Sequence, residues 1–205
     1  GLAGNIYSNK AINLIFKTKK RPFFNPLIVH IQSAEALSDI VSHIPEKAKQ
    51  LANAFWPGSM TLVLKKQSNI PDIITAGKDT VAVRVPNHPT TLELLKQLPF
   101  PIAAPSANPF GSISPTKPEH VERYFKENIS QVLDGGPCKK GIESTIIGFE
   151  NDEIYRIDYG NNRKLGTSYQ YRKYKGKLFF KAKRMLVLIL LIQLKNIQNM
   201  LTQKV

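Results

Sequence analysis

Thr80 to Gly111 reads TVAVRVPNHPTTLELLKQLPFPIAAPSANPFG. Valines alternate at Val81, Val83 and Val85, which predicts a strand over residues 80–86. Proline can open a helix because its missing N–H would be unsatisfied there anyway, so Pro89 to Gln97 reads as a helix. Pro101 to Ala104 is then a short apolar strand, giving strand, helix and strand in one run. Outward from it, Ser8 to Thr18 and Lys117 to Phe125 read as helices. So do Ser33 to Val41, begun by Ser33, and Pro45 to Phe55, with proline in its first turn. "LIVHI" (27–31) and "MTLVLK" (60–65) read as strands, the second joined to 80–86 by a loop with Pro71 and Gly77. Further strands are expected at Gln131 to Asp134, Ser144 to Phe149 and Glu153 to Ile157. Helices that interleave with strands favour an α/β or α+β sheet with helices on its faces. Several connections are too short for a crossover helix, so the sheet is expected to be mixed.

The chain has 205 residues, enough for one substantial core with an appendage. Its 42% hydrophobic content fits a globular protein and argues against disorder. The longest apolar run, Met185 to Leu194, falls well short of the roughly 20 residues that cross a bilayer. The single cysteine, Cys138, excludes an internal disulfide and a cysteine-rich zinc site, which suits a reducing cytosol. The net charge of +14 points toward nucleic acid, but it is unevenly placed. Residues 161–205 hold eleven Lys or Arg and no Asp or Glu, leaving 18 basic and 15 acidic residues, or +3, for Gly1 to Gly160. The basicity belongs to the tail.

Three stretches carry candidate chemistry. In "KTKKRPFFNP", Lys19 and Arg21 stand two apart, and Pro22 pushes Arg21 toward an extended conformation. On an extended segment the two cations would share one side and clamp a phosphate or carboxylate; from this stretch alone a solvated basic helix end is the favoured account. In "APSANPFG", Ser106 and Asn108 are also two apart, with Pro105 and Pro109 stiffening the backbone. They can hold a phosphate or sugar without adding charge, or satisfy a polar turn. In "GGPCKKGIESTIIGF", Ser144 and Thr145 open a strand after a glycine turn, where a phosphate could dock, although many strands begin this way. His30 in "LIVHI" reads either as a bonded core histidine or as a cleft residue. Arg84, a charge in an apolar strand, must find a partner or reach a cleft. No metal-ligand cluster, Walker-type loop, Ser-His-Asp order or dinucleotide fingerprint is present.

In order, "GLAGN", "KxRP..NPLIVHI", "FWPGSMTLVL", "VAVRVP", "PIAAPSANPFG" and "GGPCKKGIESTII" resemble the YrdC family of L-threonylcarbamoyladenylate synthases, from Gly1 to about Arg156. The resemblance implies a twisted α/β sheet with a concave, positively charged cleft. It also implies an enzyme that joins L-threonine, bicarbonate and ATP into threonylcarbamoyl-AMP and pyrophosphate, for threonylcarbamoyl-adenosine modification of tRNA. Lys19, Arg21, Ser106 and Asn108 match the family's KxR and SxN elements and would be the catalytic and ATP-binding set. Ser144, Thr145 and Arg156 would join them on ATP, with Arg21, His30 and Arg84 near threonine. Magnesium would accompany ATP, and no tightly bound cofactor or protein-held metal is implied. The implied partners are a threonylcarbamoyl-transferring complex and tRNA or double-stranded RNA, in the cytoplasm and with no membrane.

Two departures from the family pattern stand out. Of the usual opening "PTETVYGL" only "GL" is present, so the true N-terminus is expected to be missing. After Arg156 the family pattern stops, with Asp158 where glycine is usual. Residues 1–157 are therefore expected to form the synthase domain, and 158–205 a basic tail that is frameshifted, disordered or a genuine RNA-binding extension. An RNA-binding module without synthase activity is the alternative reading of the whole.

Overall fold

The computed structural model describes residues 1–139, 141, 143–150, 153–159 and 169–172. They belong to one compact unit, Gly1–Lys173. Strands β1 (Gly4–Asn5), β2 (Ile28–His30), β3 (Met60–Lys65), β4 (Thr80–Arg84), β5 (Ile102–Ala103), β6 (Thr145–Glu150), β7 (Glu153–Tyr159) and β8 (Tyr169–Arg172) form one sheet, in the order β1-β5-β2-β4-β3-β6-β7-β8. The β2–β4 and β3–β6 pairs are parallel and the others antiparallel, so the sheet is mixed, as expected from the connection lengths. Helices α1 (Asn9–Lys19), α2 (Glu46–Phe55), α3 (Asp72–Thr75), α4 (Pro89–Gln97) and α5 (Pro118–Phe125) alternate with the strands.

Side chains on a strand alternate between faces. Val29, Val81, Val83, Leu62, Leu64 and Ile147 are all buried and lie on one face by the register of their pairs. That face is the core side. The other face carries Ile28, Ala82, Arg84 and Val63, each half-buried, alongside buried His30, Thr61 and Ile146. This difference between faces is what positions the site.

Helix α1 starts where the sequence signals it: the Ser8 hydroxyl accepts from the Ala11 N–H at 3.3 Å and caps the first turn. Ser8→Ala is expected to lower stability by about 1 kcal/mol, or roughly 2–4 °C in Tm. A melting temperature unchanged by the substitution would remove the cap from the account.

Three expectations are corrected. Ser33 to Val41 is not an α-helix; only Glu35–Asp39 turns, as a 3-10 helix with no side-chain cap. Val41 instead bridges Lys66 beside β3, and the Ser42 N–H donates to Lys65 O at 2.9 Å, which pulls the chain out of the helix. Gln131 to Asp134 forms no strand, because no neighbouring strand pairs with it and Leu133 is exposed. The loop holding Pro71 and Gly77 contains α3, which ends with Ala76 in the left-handed region and passes into Gly77 at φ +76°. The domain boundary expected at residue 157 falls within β7; apart from 158–159 and 169–172, the expected tail lies outside the described residues.

Candidate active site

The end of α1 and the "PSANPF" loop are locked together. Lys20 takes the left-handed conformation at φ 51°, its N–H donating to Lys17 O at 3.1 Å while the Arg21 N–H donates to Phe16 O at 2.9 Å. This closes the helix in the manner of a left-handed cap. Lys19 and Arg21 therefore do not sit two apart on an extended segment, as their spacing suggested: Lys19 closes the last helical turn, and Lys20 turns left-handed before Arg21. Lys19 Nζ instead enters the loop and donates to the carbonyl oxygens of Ser106 and Asn108. In return the Phe110 N–H donates to Lys19 O at 2.7 Å. Lys19 is 1% exposed. Burial, with a smaller contribution from the Arg21 charge, brings its pKa down to about 8.

Asn108, 6% exposed, donates from Nδ2 to Pro109 O at 3.1 Å and Ser112 O at 2.8 Å. Its Oδ1 is buried without a hydrogen-bond partner. Ser106 is half-buried. Arg21 turns toward the entrance to β2, donating from Nη2 to Pro26 O at 2.9 Å and from Nε to Asn25 O at 3.4 Å.

A second group lies along the half-exposed sheet face. His30 on β2 pairs with Arg84 on β4, and the β3–β4 register, continued by one residue, sets Thr61 opposite Arg84. Thr61 pairs with Ile146, so Ser144, two residues before it, falls on the same face. A polar row, His30, Arg84, Thr61 and Ser144, thus runs from β2 across β4 and β3 to the residue before β6. Thr61 is fully buried and its hydroxyl donates to Ser144 Oγ at 3.0 Å. Arg84 Nε donates to Gly58 O at 2.8 Å, and desolvation lowers its pKa while the Glu143 carboxylate opposes the shift. His30 Nδ1 lies 3.2 Å from Ile28 O, which can only accept, so that nitrogen carries the proton. Burial, reinforced by the Arg84 charge, lowers the His30 pKa to about 3 and keeps the ring neutral. Glu143 accepts from Ser114 Oγ at 2.5 Å, tying the segment before β6 to the segment after the "SANPF" loop.

Of the residues expected from sequence, Lys19, Ser106 and Asn108 meet directly, and His30 and Arg84 are strand neighbours. Ser144 joins the row. Thr145 pairs with Met60 on the opposite face, and its N–H donates to Ser59 O at 3.1 Å. Arg156 lies in β7 opposite Ile147. Thr61, Ser114 and Glu143 escaped the sequence reading. Thr61 sits inside "MTLVL", where only its pairing with β4 and β6 reveals the polar row. Among the described residues no three His, Cys, Asp or Glu side chains gather to hold a metal ion.

The Sua5_yciO_yrdC family model, described as telomere recombination, matches residues 1–157. The chain belongs to this family. It is 48% identical over 147 residues to the threonylcarbamoyl-AMP synthase of Pyrococcus abyssi, covering 72% of this chain and 43% of that protein. The synthase of Bacillus subtilis is 45% identical over 153 residues, covering 74% and 44%. The crystal structure of Pyrococcus abyssi Sua5 complexed with L-threonine superposes with a TM-score of 0.72 at 45% identity, over 74% of this chain and 45% of that one. Escherichia coli YciO shares the fold at a TM-score of 0.66 and 21% identity, over 74% of each chain. The chain spans less than half the length of the two synthases. Among the described residues no helix is long and apolar enough to cross a membrane.

Proposed function

We propose that this domain joins L-threonine, bicarbonate and ATP into threonylcarbamoyl-AMP with release of pyrophosphate. The product would pass to a transferase complex that installs threonylcarbamoyl-adenosine in tRNA, in the cytoplasm. The observation that carries the reading is one arrangement: the Lys19-bound Ser106–Asn108 loop and the His30–Arg84–Thr61–Ser144 row, in a chain 48% identical to a threonylcarbamoyl-AMP synthase. The synthase-family structure solved with L-threonine supports threonine as the amino acid.

In this reading bicarbonate takes up a proton and loses water to give carbon dioxide, and threonine's neutral amine adds to it and releases a proton to give a carbamate. A carbamate oxygen then attacks the α-phosphorus in line as pyrophosphate leaves. The carbamate, the triphosphate and the leaving pyrophosphate are anionic, so fixed cations that need no reorganisation supply the catalysis. Arg84, braced by Gly58 O, and Arg21, braced by Pro26 O, are such cations. Neutral His30 can present Nε2 as an acceptor beside Arg84 without adding repulsion between cations. The Ser106 and Ser144 hydroxyls offer uncharged donors to phosphate or sugar oxygens.

Magnesium fits as an ion that arrives on the nucleotide. The Ser106 and Ser144 hydroxyls and the Glu143 carboxylate are oxygen donors of the kind that suit an ion keeping phosphate oxygens and water as its other ligands. When bound it would neutralise charge on the phosphate oxygens.

The test is incubation of the chain with ATP, L-threonine and bicarbonate, with mass spectrometry for threonylcarbamoyl-AMP and a parallel pyrophosphate assay. Product that disappears when threonine or bicarbonate is withheld is the expected result. A folded chain that forms no product and does not bind ATP would reject the reading.

A further inference from the structure

We propose that Lys19 is a positioning residue, whose side-chain nitrogen builds the Ser106–Phe110 loop rather than meeting the triphosphate as a charge. The inference rests on the proposed function for the identity of the ligand, and deepens it by dividing the labour among the Lys-x-Arg and Ser-x-Asn residues.

The geometry assigns Lys19 two of its three N–H bonds. Both go to loop carbonyls, those of Ser106 and Asn108, while the Lys19 carbonyl holds the Phe110 N–H. One residue thus grips the loop at three points. Ala107 between them is buried. Asn108 works in the same sense: its Nδ2 is spent on Pro109 O and Ser112 O. Each trans peptide sets its N–H opposite its C=O. Fixing the Ser106 carbonyl on Nζ therefore turns the Ala107 N–H away from the ammonium, and no acceptor for it occurs among the described residues. That amide and the hydroxyl of half-exposed Ser106 are two neutral donors of the kind anions use. Lys19 and Asn108 stand behind them.

A positioning amine and a phosphate-binding ammonium respond differently to pH. The groups that act on Lys19 are Arg21, after α1, and Glu143, before β6; the amino group of Gly1 also senses its charge. With its pKa near 8, Lys19 can be titrated while the protein stays folded. A neutral amine keeps two N–H bonds, enough for its two carbonyls. A lysine that contacts phosphate loses about tenfold or more in affinity when its charge goes.

ATP affinity is measured by calorimetry below and above pH 8, on the wild-type chain and on Lys19→Met, Ser106→Ala and the double variant. The expected wild-type step across pH 8 is smaller than about threefold, and a larger step that is missing from Lys19→Met overturns the proposal. Lys19→Met is expected to weaken ATP binding by about tenfold or more, and Ser106→Ala to cost little further in that background, because the loop that aims the hydroxyl is already lost. Additive losses overturn the proposal. Amide hydrogen exchange needs no ligand: faster exchange of Ala107, Asn108 and Phe110 in Lys19→Met supports the role, and unchanged exchange refutes it. If the wild type binds no ATP, the synthase reading fails while exchange still decides the role of Lys19. If Lys19→Met does not fold, the wild-type pH profile decides it.

Discussion

Lowering the pH from 7 to 5 is expected to destabilise this domain by about 2 kcal/mol through His30 alone, and His30→Asn should remove that part of the slope. An unfolded histidine titrates near 6.5, whereas folded His30 titrates at about 3, chiefly because burial disfavours the imidazolium and secondly because Arg84 repels it. The folded pKa is depressed, and for a base this means that the proton binds the unfolded chain more tightly. The contribution is fully present above pH 6.5 and is lost as pH falls toward the folded value of about 3. Within that window each pH unit costs up to about 1.4 kcal/mol. Asparagine at position 30 can keep a donor for Ile28 O and cannot become charged. Urea titrations of both proteins at several pH values between 7 and 5 measure the effect, a range chosen to stay above most carboxylate titrations. Parallel slopes for the two proteins would mean that His30 is solvated or already protonated in the folded state.

How much of this was legible in the sequence follows from how local each feature is. Helix α4 ran from Pro89 to Gln97 as read, because Pro89 marks its first turn and the chain leaves it before Pro99. Ser8 announced α1 in the same local way. The Ser106–Asn108 loop was legible as a rigid polar turn, since its prolines restrict the backbone whatever lies around it. What the loop holds on to was not legible, because Lys19 is 87 residues from Ser106 in sequence and the bond exists only once α1 has docked. The spacing argument for Lys19 and Arg21 failed at Lys20: a left-handed residue between them makes the i, i+2 rule inapplicable, and a lysine gives no warning of it as a glycine would.

Pairing across the sheet hid the remainder of the site. Thr61 is an ordinary strand residue and Ser144 the residue before β6 until the parallel β3–β6 ladder brings their hydroxyls together. The same register separates Ser144 from Thr145, which the sequence treats as one motif, because adjacent residues of a strand point to opposite faces. Ser33 to Val41 shows the opposite failure. A helix-like stretch there yields to a bridge from Val41 to Lys66, a long-range contact that outweighs weak local propensity.

Arg84→Met is expected to reduce threonylcarbamoyl-AMP formation by about a hundredfold or more, the range seen when one preorganised donor to developing charge is removed. Methionine keeps much of the arginine stem's volume, so the half-buried strand position stays filled and the domain is expected to fold. What disappears is a desolvated guanidinium that Gly58 O holds in place, opposite Thr61 and beside His30. The substitution carries an internal control. Because the Arg84 charge helps to depress the His30 pKa, its loss should let that pKa rise, which leaves the slope between pH 7 and 5 as it is and makes the His30 contribution level off at a higher pH below 5, a flatter slope in that lower range. The two effects report on different things: turnover depends on the substrate's charge, the acid slope only on the resident neighbours. Loss of turnover together with a flatter slope would place Arg84 in the row with His30 and give it the catalytic charge. Full turnover with a flatter slope would leave the geometry standing and move the catalytic charge to Arg21. A slope below pH 5 that matches the wild type would mean that Arg84 and His30 do not sense each other, and the polar row would lose its electrostatic basis.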